Sequence, residues 1–142
     1  MNYTRIALAG LGATVAYFAL GFVVLALLPL DNEIRQFAAV YRPAEDMMRV
    51  APVGMAALLV AMMAVAALYA LAFRDGSVIA QGLRFGVLVG VFAAGSFMLH
   101  NYVSLNIGLR LAVLQVVGYF IQWVGAGIVV ALLYRPLRSA AT

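Results

Sequence analysis

Ser96 and His100 stand one helical turn apart with Asn101 beside them, and no other group in this chain has comparable capacity for chemistry. A serine and a histidine on one face suggest an activated hydroxyl nucleophile. That chemistry also needs a third group to orient the base, and no acid stands near enough in sequence to supply it. The chain contains a single histidine and no cysteine, so thiolate metal sites and thiol nucleophiles are excluded. A haem held by two histidines would need a second copy of the chain. Met48, Met55 and Met62 recur every seven residues, with Met47, Met63 and Met98 also present. Thioethers suit Cu(I), but methionine is also adaptable apolar filler, and a heptad stripe is ordinary helix packing. No metal or cofactor is expected.

A second constellation lies further on. Gln115, Tyr119, Gln122 and Ala126 follow at i, i+4, i+7 and i+11, which places an uncharged polar seam along one helix. Amides and phenols at such positions either tie helices together or orient a neutral ligand. His100, Asn101, Gln115, Tyr119 and Gln122 are therefore the candidate ligand-binding residues. Thr14, Tyr17 and Tyr69 are further polar groups in apolar surroundings, and Tyr102 adjoins His100.

The elements that must carry these residues are membrane spans. Ile6 to Leu28, Val50 to Phe73, Phe85 to Leu109 and Leu111 to Tyr134 contain no Asp, Glu, Lys or Arg. Each stretch exceeds the ~20 residues that a helix needs to cross a bilayer core of about 30 Å. With 67% hydrophobic residues and a mean hydropathy of +1.08, the chain has no room for a separate water-soluble domain. Residues 1–142 thus read as one all-α transmembrane domain, a four-helix bundle spanning about 6–28, 50–73, 82–104 and 109–134. The first apolar stretch is longer than the ~7–15 residues of a signal-peptide core, so it reads as a retained helix. No span holds a carboxylate, which argues against a proton-coupled exporter.

Pro29 ends the first helix. The long connection to Arg49 contains Asp31, a candidate N-cap, followed by Ile34, Phe37, Ala38 and Tyr41 on one helical face. The spacing predicts a short amphipathic helix in the interface, or alternatively a lid over the bundle mouth. Pro43 suits the start of the second span, with Glu45 and Asp46 in its first turn, and Pro52 should kink it or mark a later start. Arg74-Asp75-Gly76-Ser77 reads as a tight turn with Ser77 as N-cap, and Pro136 stops the last helix. The short second and third connections predict that sequential helices are antiparallel neighbours.

All nine basic residues are Arg and the net charge is +4, without a clustered patch that would hold a nucleic acid. Arg5, Arg74, Arg84, Arg135 and Arg138 fall on one side, and Arg35, Arg42, Arg49 and Arg110 on the other. The slight excess places both termini in the cytoplasm.

Helix contacts are also legible. Gly82, Gly86, Gly90 and Ala94 form a strict four-residue series of small side chains. Because lipid is as apolar as a leucine side chain, helices in a bilayer associate by close backbone approach, which such a series permits. Gly12, Ala16 and Gly21 on the first span and Gly118, Gly125 and Gly127 on the last offer matching surfaces.

The second half, from Gly82-Leu83-Arg84-Phe85-Gly86 through His100-Asn101-Tyr102 to Leu133-Tyr134-Arg135-Pro136, resembles small bacterial four-helix membrane proteins of unassigned role. The resemblance implies a fold and no activity; the all-Arg, Ala-rich usage is compatible with a bacterial source, and a bacterial inner membrane is the expected location. The leading expectation is a non-catalytic accessory or assembly component that packs through glycine-lined faces. Its partners are then the lipid bilayer and a second copy or a larger membrane complex. The competing expectation is a binding or transport protein for a small apolar or lipid-like ligand in the bundle interior.

Overall fold

The computed structural model describes residues 2–72 and 76–134. Every regular element among them is helical: α1 (Tyr3–Leu27), α2 (Leu30–Arg35), α3 (Ala44–Ala72), α4 (Val78–Ala93), a π-helical segment (Ala94–Leu99), α5 (His100–Ser104) and α6 (Leu109–Leu133). Four helical stretches are long and apolar enough to cross a membrane, the third comprising α4, the π-helical segment and α5. The chain is an all-α, multi-pass four-helix bundle. The turn at Arg74–Asp75 and the stop at Pro136 lie outside the described residues.

α6 is the centre of the fold, packing against α1 on one side and α4 on the other, while α3 packs chiefly on α1. The expected pairing of the third and fourth spans is therefore present. The expected pairing of the second and third is not: the backbones of α3 and α4 stay apart and meet through rings. Tyr69 and Phe85 lie edge to face with centroids 5.2 Å apart. The reason is that a short turn constrains only the ends of two helices. The glycines on α4 face α6, and backbone contact there outweighs proximity in sequence.

The α4–α6 seam shows this directly. A Cβ on Gly86 would lie 2.7 Å from the carbonyl oxygen of Val124, and one on Gly82 would lie 2.9 Å from the Cα of Ile128. Gly90 sits under the ring of Phe120. The fourth member of the series differs. Ala93 is buried and Ala94 only half-buried, because the π-helical segment starts at Ala94 and its wider turn resets the face presented to α6. On the other side of α6, Gly118 faces Val24, Gly125 faces Leu20, and Gly12 of α1 faces Leu133. The main core lies between α1, α3 and α6, around Met62, Ala66, Tyr69, Ala126, Val130 and Ala131.

α3 runs through Pro52 as one continuous helix and starts one residue after Pro43, whose carbonyl accepts from Asp46 and Met47. At 29 residues it is about 44 Å long, more than the ~30 Å hydrocarbon core needs. Its first turns, with Glu45, Asp46 and Arg49, extend past the apolar slab. From Ala44 to Ala57 no residue of α3 is buried, and only Asp46 is even half-covered.

The connection between α1 and α3 folds over one end of the bundle. α2 is shorter than the apolar spacing suggested, and Pro29 rather than Asp31 holds the N-cap position. Asp31 instead pairs with Arg35 at 2.9 Å. Ile34, Phe37 and Tyr41 do pack together as expected, against Val24, Leu30, Ile107, Leu111 and Ala112, while Ala38 is exposed. Glu33 is buried and accepts from Arg110 at 3.1 Å. Arg110 lies in the first turn of α6, whose dipole also favours a carboxylate there. The connection is thus bound to the bundle by an apolar patch, by the Glu33–Arg110 ion pair and by a hydrogen bond from Gln115 to Tyr41.

Candidate functional site

Three elements enclose a half-open cleft of about 290 Å³. α1 supplies Tyr17, Phe18, Gly21 and Phe22, α2 supplies Leu30 and Ile34, and α6 supplies Gln115, Gly118, Tyr119 and Gln122. α1 and α6 approach closely at Gly118 and Gly125, and the rings of Tyr17 and Tyr119 border the cleft. Its volume falls just below the ~300–1,000 Å³ typical of small-molecule sites. No charged side chain lines it.

The polar seam on α6 is present, and the residues divide by what they touch. Gln115 is buried, and its Nε2 donates to the hydroxyl of Tyr41 at 2.9 Å, crossing from α6 to the overlying connection. Its carbonyl Oε1 is buried and accepts no hydrogen bond. Gln122 is equally buried, but its Nε2 donates at 3.2 Å to the carbonyl of Gly118 on its own helix. Its Oε1 points at α1, where a Cβ on Gly21 would lie 3.1 Å away. Thr14 likewise bonds back to Gly10 of its own helix at 2.8 Å. The seam is therefore divided: Gln122 is satisfied within α6, and Gln115 reaches the overlying connection. Tyr119 is half-buried between these two amides, and Tyr17 stacks edgewise on Trp123 at 5.3 Å.

His100 and Asn101 are not part of this site. His100 is exposed, Asn101 half-buried, and neither lines the cleft. Of the candidate ligand-binding residues, Gln115, Tyr119 and Gln122 line the cleft and His100 and Asn101 do not, for a geometric reason. His100, Asn101 and Gln115 all lie near the α5–α6 turn, so their depth agrees. The amide of Gln115 faces α1 and the α2 connection, whereas α4, the π-helical segment and α5 pack on another side of α6. Ser96 is also exposed.

Two residues of the cleft were not singled out from sequence: Phe18 and Phe22 read as plain apolar positions, and only the folding of α2 over α1 and α6 makes them walls, whereas Ile34 was legible as part of the amphipathic face. Tyr41 was legible as part of the amphipathic face, though not as the partner of Gln115. The methionine stripe does not converge: Met62 is fully buried, Met55 and Met48 are exposed, and successive members lie about 10.5 Å apart along α3. They cannot share one ion.

Comparison with family models, with curated proteins and with solved structures finds no match to this chain.

Proposed function

We propose that this chain binds a small apolar or lipid-like molecule in the cleft between α1, α2 and α6, in a bacterial inner membrane with both termini in the cytoplasm. The observation that carries the reading is the cleft itself. It is apolar, ring-walled and uncharged, and two buried amides of one helix lie along it. Such a mixture of apolar wall and a few convergent polar groups is what small-molecule sites present. The orientation rests on the distribution of Arg.

The test is native mass spectrometry of the full chain after gentle extraction, paired with Gln122→Leu. A discrete small-molecule mass on the wild type supports binding. Its loss in the variant, with an unchanged unfolding midpoint, assigns it to this cleft. A bare chain under all gentle conditions overturns the reading.

A second reading, an accessory component of a larger membrane complex, draws on one feature. The glycine face of α4 is occupied by α6, but the first half of α3 has no covering element, and Gly54 within it faces open space. Lipid satisfies an apolar face as well as a protein does, so stoichiometry decides. A protein mass retained at fixed ratio in the same spectra favours this reading.

A further inference from the structure

We infer that the occupant of the cleft is a neutral amphiphile whose polar end is a hydrogen-bond donor, a lipid-like alcohol rather than an anionic lipid. The inference rests on the binding reading above and specifies its ligand.

Two independent observations lead to it. The first is the state of Gln115. Its amide lines the cleft and is 9% exposed, yet only the NH₂ end has a partner. The carbonyl Oε1 is shut into the wall and accepts nothing. A buried acceptor without a donor is costly, and native interiors rarely leave one so. The last torsion of a glutamine is soft, so a rotation that gives up the Tyr41 bond in exchange for one to the ligand carries this oxygen into the cleft. A ligand hydroxyl then donates to it, and its apolar chain runs along Phe18, Phe22 and Gly118 towards Gln122.

The second observation is the charge of the surroundings. The polar groups lining the cleft are amides and phenols, all neutral. The charged groups on α2 beside the cleft are already paired, Glu33 with Arg110 at 3.1 Å and Asp31 with Arg35 at 2.9 Å. A phosphate or carboxylate head drawn into this cleft would be desolvated without a counter-charge, which is strongly unfavourable. A hydroxyl is the polar head that both satisfies Gln115 and tolerates the apolar walls.

The chain has a single tryptophan, Trp123, whose ring packs on Tyr17 in the cleft wall. It reports occupancy through contact quenching by bromine. The full chain in detergent micelles is titrated with 10-bromodecan-1-ol, with its methyl ether, and with 10-bromodecanoate at a pH where the acid is ionised. The expected result is saturable quenching by the alcohol, about tenfold weaker for the ether and for the carboxylate, since one hydrogen bond to a buried amide is worth that factor. Gln115→Leu should lower the alcohol to the level of the ether. If that variant does not fold, the three wild-type titrations still decide. Equal saturation by alcohol and ether overturns the donor requirement and leaves the binding reading standing. Tightest saturation by the carboxylate overturns the neutral head. Absence of saturable quenching by all three overturns both the inference and the binding reading.

Discussion

Gly86 and Gly127 meet backbone to backbone: a Cβ on Gly127 would lie 2.7 Å from the amide nitrogen of Gly86 and 3.0 Å from the carbonyl oxygen of Gly82. This contact sets the separation of α4 from α6, and neither side can yield by turning a side chain. Gly127→Ala and Gly86→Leu should each destabilise the bundle by about 1–3 kcal/mol, the usual cost of overpacking, with the larger effect for leucine. Gly54→Ala should leave stability unchanged or slightly raised, because nothing lies within 4 Å of the new methyl group. Unfolding in detergent measures all three. Equal stability of Gly127→Ala and the wild type would contradict the seam.

The ion pair of Glu33 and Arg110 holds the α2 connection onto α6. Glu33 is buried and Arg110 is mostly exposed, so the carboxylate suffers when the pair is broken. Arg110→Ala should cost about 1–2 kcal/mol, less than a pair buried on both sides. Adding Glu33→Gln should recover much of that loss by removing the stranded charge. Hydrogen exchange of residues 28–43 is the local readout, and it should rise in Arg110→Ala and fall back in the double variant.

Gln115 and Tyr41 form the hydrogen bond from the polar seam to the connection that covers it. A double-mutant cycle with Gln115→Leu and Tyr41→Phe should give a coupling near the ~0.6 kcal/mol average for such bonds in membranes. Gln122→Leu should change stability less, since its donor serves its own helix at Gly118. Zero coupling between Gln115 and Tyr41 would remove the bond from the account.

The methionine stripe on α3 separates into core and surface. Met62→Ala deletes a fully buried side chain and should cost about 2–5 kcal/mol. Met48→Ala, at a position 79% exposed, should stay within about 0.5 kcal/mol of the wild type. Similar effects at both would show that the first half of α3 is covered by something the isolated chain lacks.

The proposed orientation has a direct check. The chain contains no cysteine, so single replacements label without background. Asn106→Cys, in the exposed turn before α6, should react with an impermeant maleimide on intact spheroplasts. Ser77→Cys, in the exposed turn before α4, should react only after the membrane is opened. The reverse pattern would invert the assignment.

How much of this was legible in the residues varies by level. The four spans follow from length and hydropathy alone, because a bilayer tolerates uncharged helices of one minimum length. The small-residue series at Gly82, Gly86 and Gly90 identified a contact face, because close approach needs the absence of side chains. The depth of the polar residues could also be read, since each helix residue adds a fixed rise.

What only tertiary structure decided is rotation about the helix axis and choice of neighbour. Nothing in Arg74–Ser77 says that α3 packs on α1 rather than on α4. Nothing in Ala94–Leu99 announces a π-helical turn that shifts burial from Ala94 to Ala93 and precedes an exposed His100. Periodicity along one helix fixes which residues share a face. Which helix that face meets depends on shape complementarity with residues far away in the chain, as with Gly86 against Gly127 or Gln115 beneath Tyr41. The sequence by itself therefore determined a four-span helical membrane protein with a glycine face and a neutral polar seam. The tertiary structure decided that the glycine face is closed within the chain and that the seam borders a cleft between α1, α2 and α6.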